Sequence, residues 1–155
     1  MRKLLLLALV FPLVTFGQIE SSLKLKVGVL NNFISKGESG ERLYWETKGK
    51  ITFGFVNYTE EQNPIFRDLF IKQYQEIVPI FEKMNKTELE KDTHLFVTTL
   101  IKQEEEYRKL LNPDQLKRYL DKLADFEKNN PEANNSYSSL FFSEKLLKEY
   151  KIGFL

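Results

Sequence analysis

Residues 63–84 read NPIFRDLFIKQYQEIVPIFEKM, and the apolar side chains in this stretch recur every three or four positions. That spacing places them on one face of an α-helix. Asn63 suits the N-cap and Pro64 the first helical position, where the N–H that proline lacks would have no partner anyway. Pro79 lies inside the stretch and is expected to kink or end the helix near Ile77. The stripe consists of Phe66, Phe70, Tyr74, Ile77, Phe81 and Met84.

Helical patterns continue after this stretch. A second helix carries Leu89, Phe96, Leu100, Tyr107 and Leu111 on one side. Asn112 and Pro113 give another start signal, and Asp114 would meet the positive end of the helix dipole. The helix that they begin directs Leu116, Tyr119, Leu120, Leu123 and Phe126 inward. A last short helix is predicted around Leu140, Leu147 and Tyr150.

The region before residue 63 gives mixed signals. Apolar residues from Ile19 to Ile34 recur at helical spacing, and Gly37 is a plausible C-terminal cap. The alternation from Leu23 to Val29 leaves a half-buried strand as the alternative. Residues 42–58 alternate in a β-like manner on both sides of Lys48-Gly49, which predicts a β-hairpin packed on the helices. The expected fold class is therefore mainly α, with about four to five helices and one hairpin.

The N-terminus has the pattern of a secretory signal peptide. Arg2 and Lys3 precede an uncharged apolar run from Leu4 to Val14, and the small residues Thr15 and Gly17 occupy positions −3 and −1 before the expected cleavage site. The run is shorter than the ~18–20 residues that a membrane-spanning helix needs. Cleavage is expected between Gly17 and Gln18, which leaves residues 18–155 as a single secreted or periplasmic domain. The sequence does not distinguish bacterial from eukaryotic secretion, and N-x-[ST] sequons at Asn57, Asn85 and Asn134 leave glycosylation open.

The composition excludes several function classes. The 155-residue chain has a formal net charge of +1, which argues against a partner bound by bulk charge such as nucleic acid. It has no Cys and one His, so cysteine catalysis and zinc sites made of Cys or several His are excluded. Phosphate-binding glycine motifs and the G-x-S-x-G elbow are absent. No cofactor or metal is expected.

The remaining titratable patterns favour a structural role over catalysis. Glu90, Asp92 and His94 lie near each other on one helix, but such groupings occur often by chance. The carboxylates at residues 104–106 read as a solvated helix face, because consecutive helical residues point in different directions. Glu104 is placed four residues before Arg108, the favourable order for an ion pair.

Tyr44 and Trp45 are the candidate binding residues. On the predicted hairpin strand they would point to opposite faces, so one would pack inward while the other lies exposed for recognition. Packing of both aromatics is the alternative.

The five residues Leu111-Asn112-Pro113-Asp114-Gln115 resemble the L-T-x-x-Q motif of small periplasmic helical proteins of the Spy/CpxP type. The resemblance implies an envelope-stress chaperone or sensor partner, in which a cradle of helices binds unfolded clients. It covers five residues, Asn112 stands where that family has Thr, and the sequence reading finds no second copy of the motif.

These observations favour a non-catalytic protein that binds a protein partner or an exposed polypeptide, as a chaperone or accessory factor. One alternative is a carrier that holds an apolar ligand among Phe-rich helices, which a closed apolar cavity of ~300 Å³ or more would support. Another is a small hydrolase or lyase with a site of Glu, Tyr and Lys, which a deep pocket enclosing two carboxyls would support. The sequence leaves the oligomeric state open.

Overall fold

The computed structural model describes residues 26–88 and 90–129, and this part of the chain is built from α-helices. Helix α1 covers residues 26–34. It is followed by α2 (Glu38–Val56), α3 (Gln62–Thr87), α4 (Glu90–Lys109) and α5 (Pro113–Asn129). The expected signal peptide, the Asn134 sequon and the predicted helix around Leu140 lie outside the described residues. None of the helices described is both long and apolar enough to cross a membrane.

The β-hairpin predicted at residues 42–58 is wrong, because α2 is helical from Glu38 to Val56. Its buried residues follow one another at intervals of four: Gly40, Tyr44, Lys48, Thr52 and Val56. The helical face was hidden in the sequence because Lys48 and Thr52 are polar. Packing of this face against other helices outweighs the β propensity of the aromatic and β-branched residues around it.

Helix α1 confirms the helical interpretation over the part of residues 19–34 that is described, and residues 26–29 are not a strand. Gly37 ends the turn after α1 with a φ of 57°, a conformation that glycine adopts without steric cost. Gly40 allows α1 and α2 to meet closely, because a Cβ there would overlap the Phe33 carbonyl oxygen.

Helix α3 lies at the centre of the packing, between α2 and α4, while α5 packs on α2. Its predicted apolar stripe is buried as a whole. Phe66 and Phe70 are at most 1% exposed, and their ring centroids lie 5.5 and 5.8 Å from that of Tyr107 on α4. The side chains of the stripe thus form the core between the helices.

The sequence predicted that Pro79 would kink or end helix α3 near Ile77. The helix does not end there but continues through Pro79 to Thr87. Proline removes one backbone hydrogen bond and costs ~3 kcal/mol inside a helix. Ile77 and Phe81, on either side of Pro79, are 1% and 2% exposed. Burial of these side chains offsets the lost hydrogen bond.

Candidate binding site at the helix junction

Two hydrogen bonds between the same two residues close the turn between α2 and α3. The backbone N–H of Gln62 donates to the Thr59 hydroxyl (3.3 Å), and the backbone N–H of Thr59 donates to Gln62 Oε1 (3.1 Å). This is a capping box, which satisfies two N–H groups that the start of a helix leaves without partners. The start of α3 is therefore set by Thr59 and Gln62, and not by Asn63 and Pro64 as predicted.

The turn between α4 and α5 is closed in the same way. The backbone N–H of Gln115 donates to Asn112 Oδ1 (2.9 Å), and the backbone N–H of Asn112 donates to Gln115 Oε1 (3.1 Å). The predicted start of this helix, with Asn112 as cap and Pro113 as first residue, is confirmed. The Asn112 side chain thus accepts the capping hydrogen bond here, as the Thr59 hydroxyl does in the first capping box.

The two boxes are joined through their glutamines. Gln62 Nε2 donates to Gln115 Oε1 (3.0 Å), and Gln115 Nε2 donates to Gln62 Oε1 (2.7 Å). Each amide nitrogen also donates to a backbone carbonyl. Gln62 Nε2 donates to the Leu110 carbonyl (3.4 Å), and Gln115 Nε2 donates to the Asn57 carbonyl (3.5 Å). Both amides have all their hydrogen-bonding positions filled. We call this arrangement the helix junction.

The junction corrects the sequence reading that found one copy of the L-T-x-x-Q-like motif. Residues 58–62, Tyr58-Thr59-Glu60-Glu61-Gln62, form a second copy that makes the same backbone bonds. It was missed because Tyr58 stands in the leucine position. Tyr58 is 8% exposed, and its ring stacks on that of Phe66 with centroids 4.0 Å apart, so it fills an apolar position.

Exposed apolar side chains surround the junction. In the described part of the chain four large apolar side chains are exposed: Phe53 (49%), Ile65 (50%), Leu95 (44%) and Leu110 (39%). The Phe53 ring lies 6.2 Å from the Tyr58 ring, Ile65 is one turn after Gln62, and Leu110 provides the carbonyl that Gln62 contacts. Leu95 lies farther away, ~20 Å before Leu110 along α4.

The acidic residues Glu60 and Glu61 are exposed on the α2–α3 turn, directly before Gln62. The junction surface is defined here as Phe53, Glu60, Glu61, Ile65 and Leu110. Hydrogen bonds to its own backbone and to the Thr59 side chain lower the pKa of the Glu61 carboxyl. Glu61 is therefore ionised at neutral pH.

A second polar cluster lies in the core, between α2, α3 and α4. Lys48 is 5% exposed and donates to Gln73 Oε1 (3.0 Å). Gln73 Nε2 donates to the Gln103 carbonyl (2.8 Å), and Gln103 Nε2 donates to the Gln73 carbonyl (3.0 Å). Sequence reasoning missed this cluster, because polar residues were assigned to helix surfaces. The paired amides fix α3 against α4.

The sequence predicted that Glu104 lies on a solvated helix face. This is wrong, because Glu104 belongs to the buried region. Its side chain is 5% exposed, and Oε1 accepts bonds from the Tyr119 hydroxyl (2.7 Å) and Arg108 Nε (2.8 Å). The expected pairing with Arg108 is confirmed, but it occurs in the core. Burial, and then the charge of Glu104, raise the pKa of Tyr119 well above its ordinary value. Glu104 thus forms an ion pair within α4 and accepts a hydrogen bond from α5.

Lys26, Lys48 and Glu104 line a small cavity together with Tyr44 and Gln103. Its volume is about 40 Å³, which suits a water molecule and is far below the ~300 Å³ of a small-ligand pocket. Glu104 is the carboxyl that contributes to its lining. Burial lowers the pKa of Lys26 to about 7, against the opposing effect of Glu104.

The structure places Tyr44 and Trp45 on α2, so the strand argument for one exposed aromatic does not apply. Tyr44 is 6% exposed, and its ring centroid lies 5.6 Å from that of Phe33 and 5.1 Å from that of Tyr74. Trp45 is partly buried against the core. Binding by this pair stays a prediction, and neither residue belongs to the junction surface.

At the possible metal-binding group, Asp92 accepts a hydrogen bond from Thr87 (2.6 Å) and pairs with Lys83 (3.0 Å). Within residues 26–88 and 90–129, no three His, Asp or Glu side chains are grouped to hold a metal ion.

The chain was also compared with known proteins. No family model matches it, and no curated protein or solved structure is significantly similar.

Proposed function

We propose that this protein is a non-catalytic binding protein of the secreted or periplasmic space, which engages an exposed polypeptide through the junction surface. The observation that carries the proposal is the grouping of apolar exposure. Three of the four large apolar side chains exposed in the described residues, Phe53, Ile65 and Leu110, lie around the junction. Exposed apolar side chains that lie together are typical of interaction sites, whereas single ones are ordinary.

The rigidity of the support favours binding at this place. Gln62 and Gln115 link the two turns at the junction, and all hydrogen-bonding positions of both amides are filled, which holds the turns in one arrangement. A surface held in one conformation loses little entropy when a partner binds. The five-residue resemblance to envelope chaperones agrees with a polypeptide as the partner.

The buried polar groups give weaker support to the alternatives. The Glu104 carboxylate already accepts two strong hydrogen bonds, so it is poorly placed to act as a base. The cavity beside it is too small for an apolar cargo. Secretion rests on the N-terminal sequence pattern.

An aggregation assay tests the proposal. Light scattering of a chemically denatured client protein, diluted with and without this protein, should show stoichiometric suppression of aggregation. Replacement of Phe53 and Leu110 by serine should remove most of the suppression. Leu95→Ser is the control, because it removes an exposed leucine away from the junction, and this variant should retain the suppression of aggregation. Absence of suppression by the wild-type chain, or equal loss in all variants, would contradict the proposal.

A further inference from the structure

The charge of the junction surface indicates which class of polypeptide it binds. Residues 57–65, which form the α2–α3 turn and the start of α3, contain Glu60 and Glu61 and no Lys or Arg. Among the ion pairs of the described residues, none involves either glutamate. Along the chain, Glu60 and Glu61 therefore lie between the exposed Phe53 and Ile65, and neither forms an ion pair with another described residue.

The basic residues nearby lie outside this acidic turn. Arg67, the next basic residue along α3, pairs with Asp68 at 3.0 Å. On the other turn Arg118 Nε donates to the backbone carbonyl of Asp114 (3.4 Å). The exposed Lys109 directly precedes Leu110 and the exposed Lys50 lies three residues before Phe53, so the acidic part of the junction surface is the α2–α3 turn with Glu60 and Glu61.

We propose that the junction surface selects polypeptide segments that combine basic and apolar side chains, with Phe53, Ile65 and Leu110 contacting the apolar ones and Glu60 and Glu61 the basic ones. This inference rests on the proposed function and names its partner class. The carboxylates act at the rim of an apolar patch, where complementary charge steers association and selects among partners.

Peptide binding measured by fluorescence anisotropy tests the inference. Three labelled peptides of equal length are used, one of Leu and Lys, one of Leu and Glu, and one of Gly and Lys. The Leu/Lys peptide should bind at least ~10-fold more tightly than either of the others, because only it matches both parts of the surface. Its affinity should fall as the salt concentration rises.

Matched variants assign the effect to the surface. The double substitution Glu60→Gln and Glu61→Gln should weaken binding of the Leu/Lys peptide about fivefold, the size expected for exposed charge pairs. Glu82→Gln with Glu90→Gln is the control, because these exposed carboxylates lie at the opposite end of α3 and α4. Far-UV circular dichroism checks that each variant remains helical.

The outcomes separate the inference from the proposed function. Equal affinity for the Leu/Lys and Leu/Glu peptides, or equal weakening by both glutamine pairs, would overturn the selection of basic segments while leaving polypeptide binding intact. Failure of all three peptides, together with failure to suppress aggregation, would overturn both.

Discussion

Replacing Gln115 by alanine removes four hydrogen bonds from the junction at once. Gln115 is 2% exposed, and its amide contacts the Gln62 amide twice, the Asn112 N–H and the Asn57 carbonyl. A typical hydrogen bond contributes ~1 kcal/mol net, and a buried group left without a partner costs ~1–3 kcal/mol. The bond to Asn57 is long, at 3.5 Å, and Gln62 is partly exposed to water. We therefore expect Gln115→Ala to lower the free energy of unfolding by about 3 kcal/mol.

Urea denaturation followed by far-UV circular dichroism measures this change. Gln75→Ala is the matched control, because Gln75 is exposed and its amide donates to Glu41 at 3.0 Å on the surface. It should cost less than ~0.5 kcal/mol. A double-mutant cycle with Gln62→Ala should give a coupling of about 1–2 kcal/mol.

Two results would refute this reasoning. A cost for Gln115→Ala within ~0.5 kcal/mol of that for Gln75→Ala would show that the junction bonds contribute little net stability. Strict additivity of the Gln62 and Gln115 substitutions would show that the two boxes act independently.

Three further predictions concern other parts of the chain. The pKa of Lys26 is about 7 in the folded state and 10.5 for a lysine exposed to water. Between these pH values the unfolded chain therefore binds more protons than the folded chain, and the free energy of unfolding should rise with pH. In urea titrations from pH 7 to pH 10, Lys26→Met should flatten the rise, and an unchanged slope would contradict the assignment to Lys26. In urea denaturation, Gly40→Ala should lower the free energy of unfolding by more than ~2 kcal/mol, because the added Cβ would overlap a main-chain carbonyl of α1. Gly28→Ala is the control, because Gly28 lies in open space on α1, and it should be neutral or stabilising by up to ~1 kcal/mol. Mass spectrometry of the protein from its own host should find Gln18 as the first residue, and recovery of intact Met1 would contradict the signal peptide.

The helices whose buried faces are apolar were predictable. Phe66, Phe70 and Phe81 mark α3 by spacing alone, and burial of a continuous apolar face is the main source of helix stability in a folded protein. The continuation of α3 beyond Pro79 could not be predicted, because the cost of proline is local, whereas the packing that outweighs it comes from residues distant in sequence. The start of α5 was predictable because Asn112 and Pro113 act through their own backbone.

The hairpin prediction and the missed buried polar residues have a common cause. Lys48, Thr52 and Glu104 lie on buried helix faces, but they look like surface residues in the sequence. They are buried because partners such as Gln73 and Tyr119, which are remote along the chain, satisfy their polar groups. A pattern of apolar residues cannot show such pairing.

The candidate site was partly predictable. Residues 111–115 were singled out by their motif, but the partner at residues 58–62 was not, because Tyr58 replaces leucine there. The exposed side chains beside the junction had no sequence signal, because apolar residues on a helix are read as core until neighbouring helices are known. The predicted pair Tyr44 and Trp45 depended on a strand that the chain does not form.

The amide pair of the junction also has a consequence for symmetry. Each of the two amides, Gln62 and Gln115, donates one hydrogen bond to the other and accepts one from it, so the pair of bonds is unchanged when the two residues are interchanged. An isologous interface between two identical subunits pairs its residues in the same reciprocal way across a two-fold axis. Here a single chain makes such a reciprocal contact between two of its own helical turns, so this contact does not depend on protein concentration as a dimer interface would.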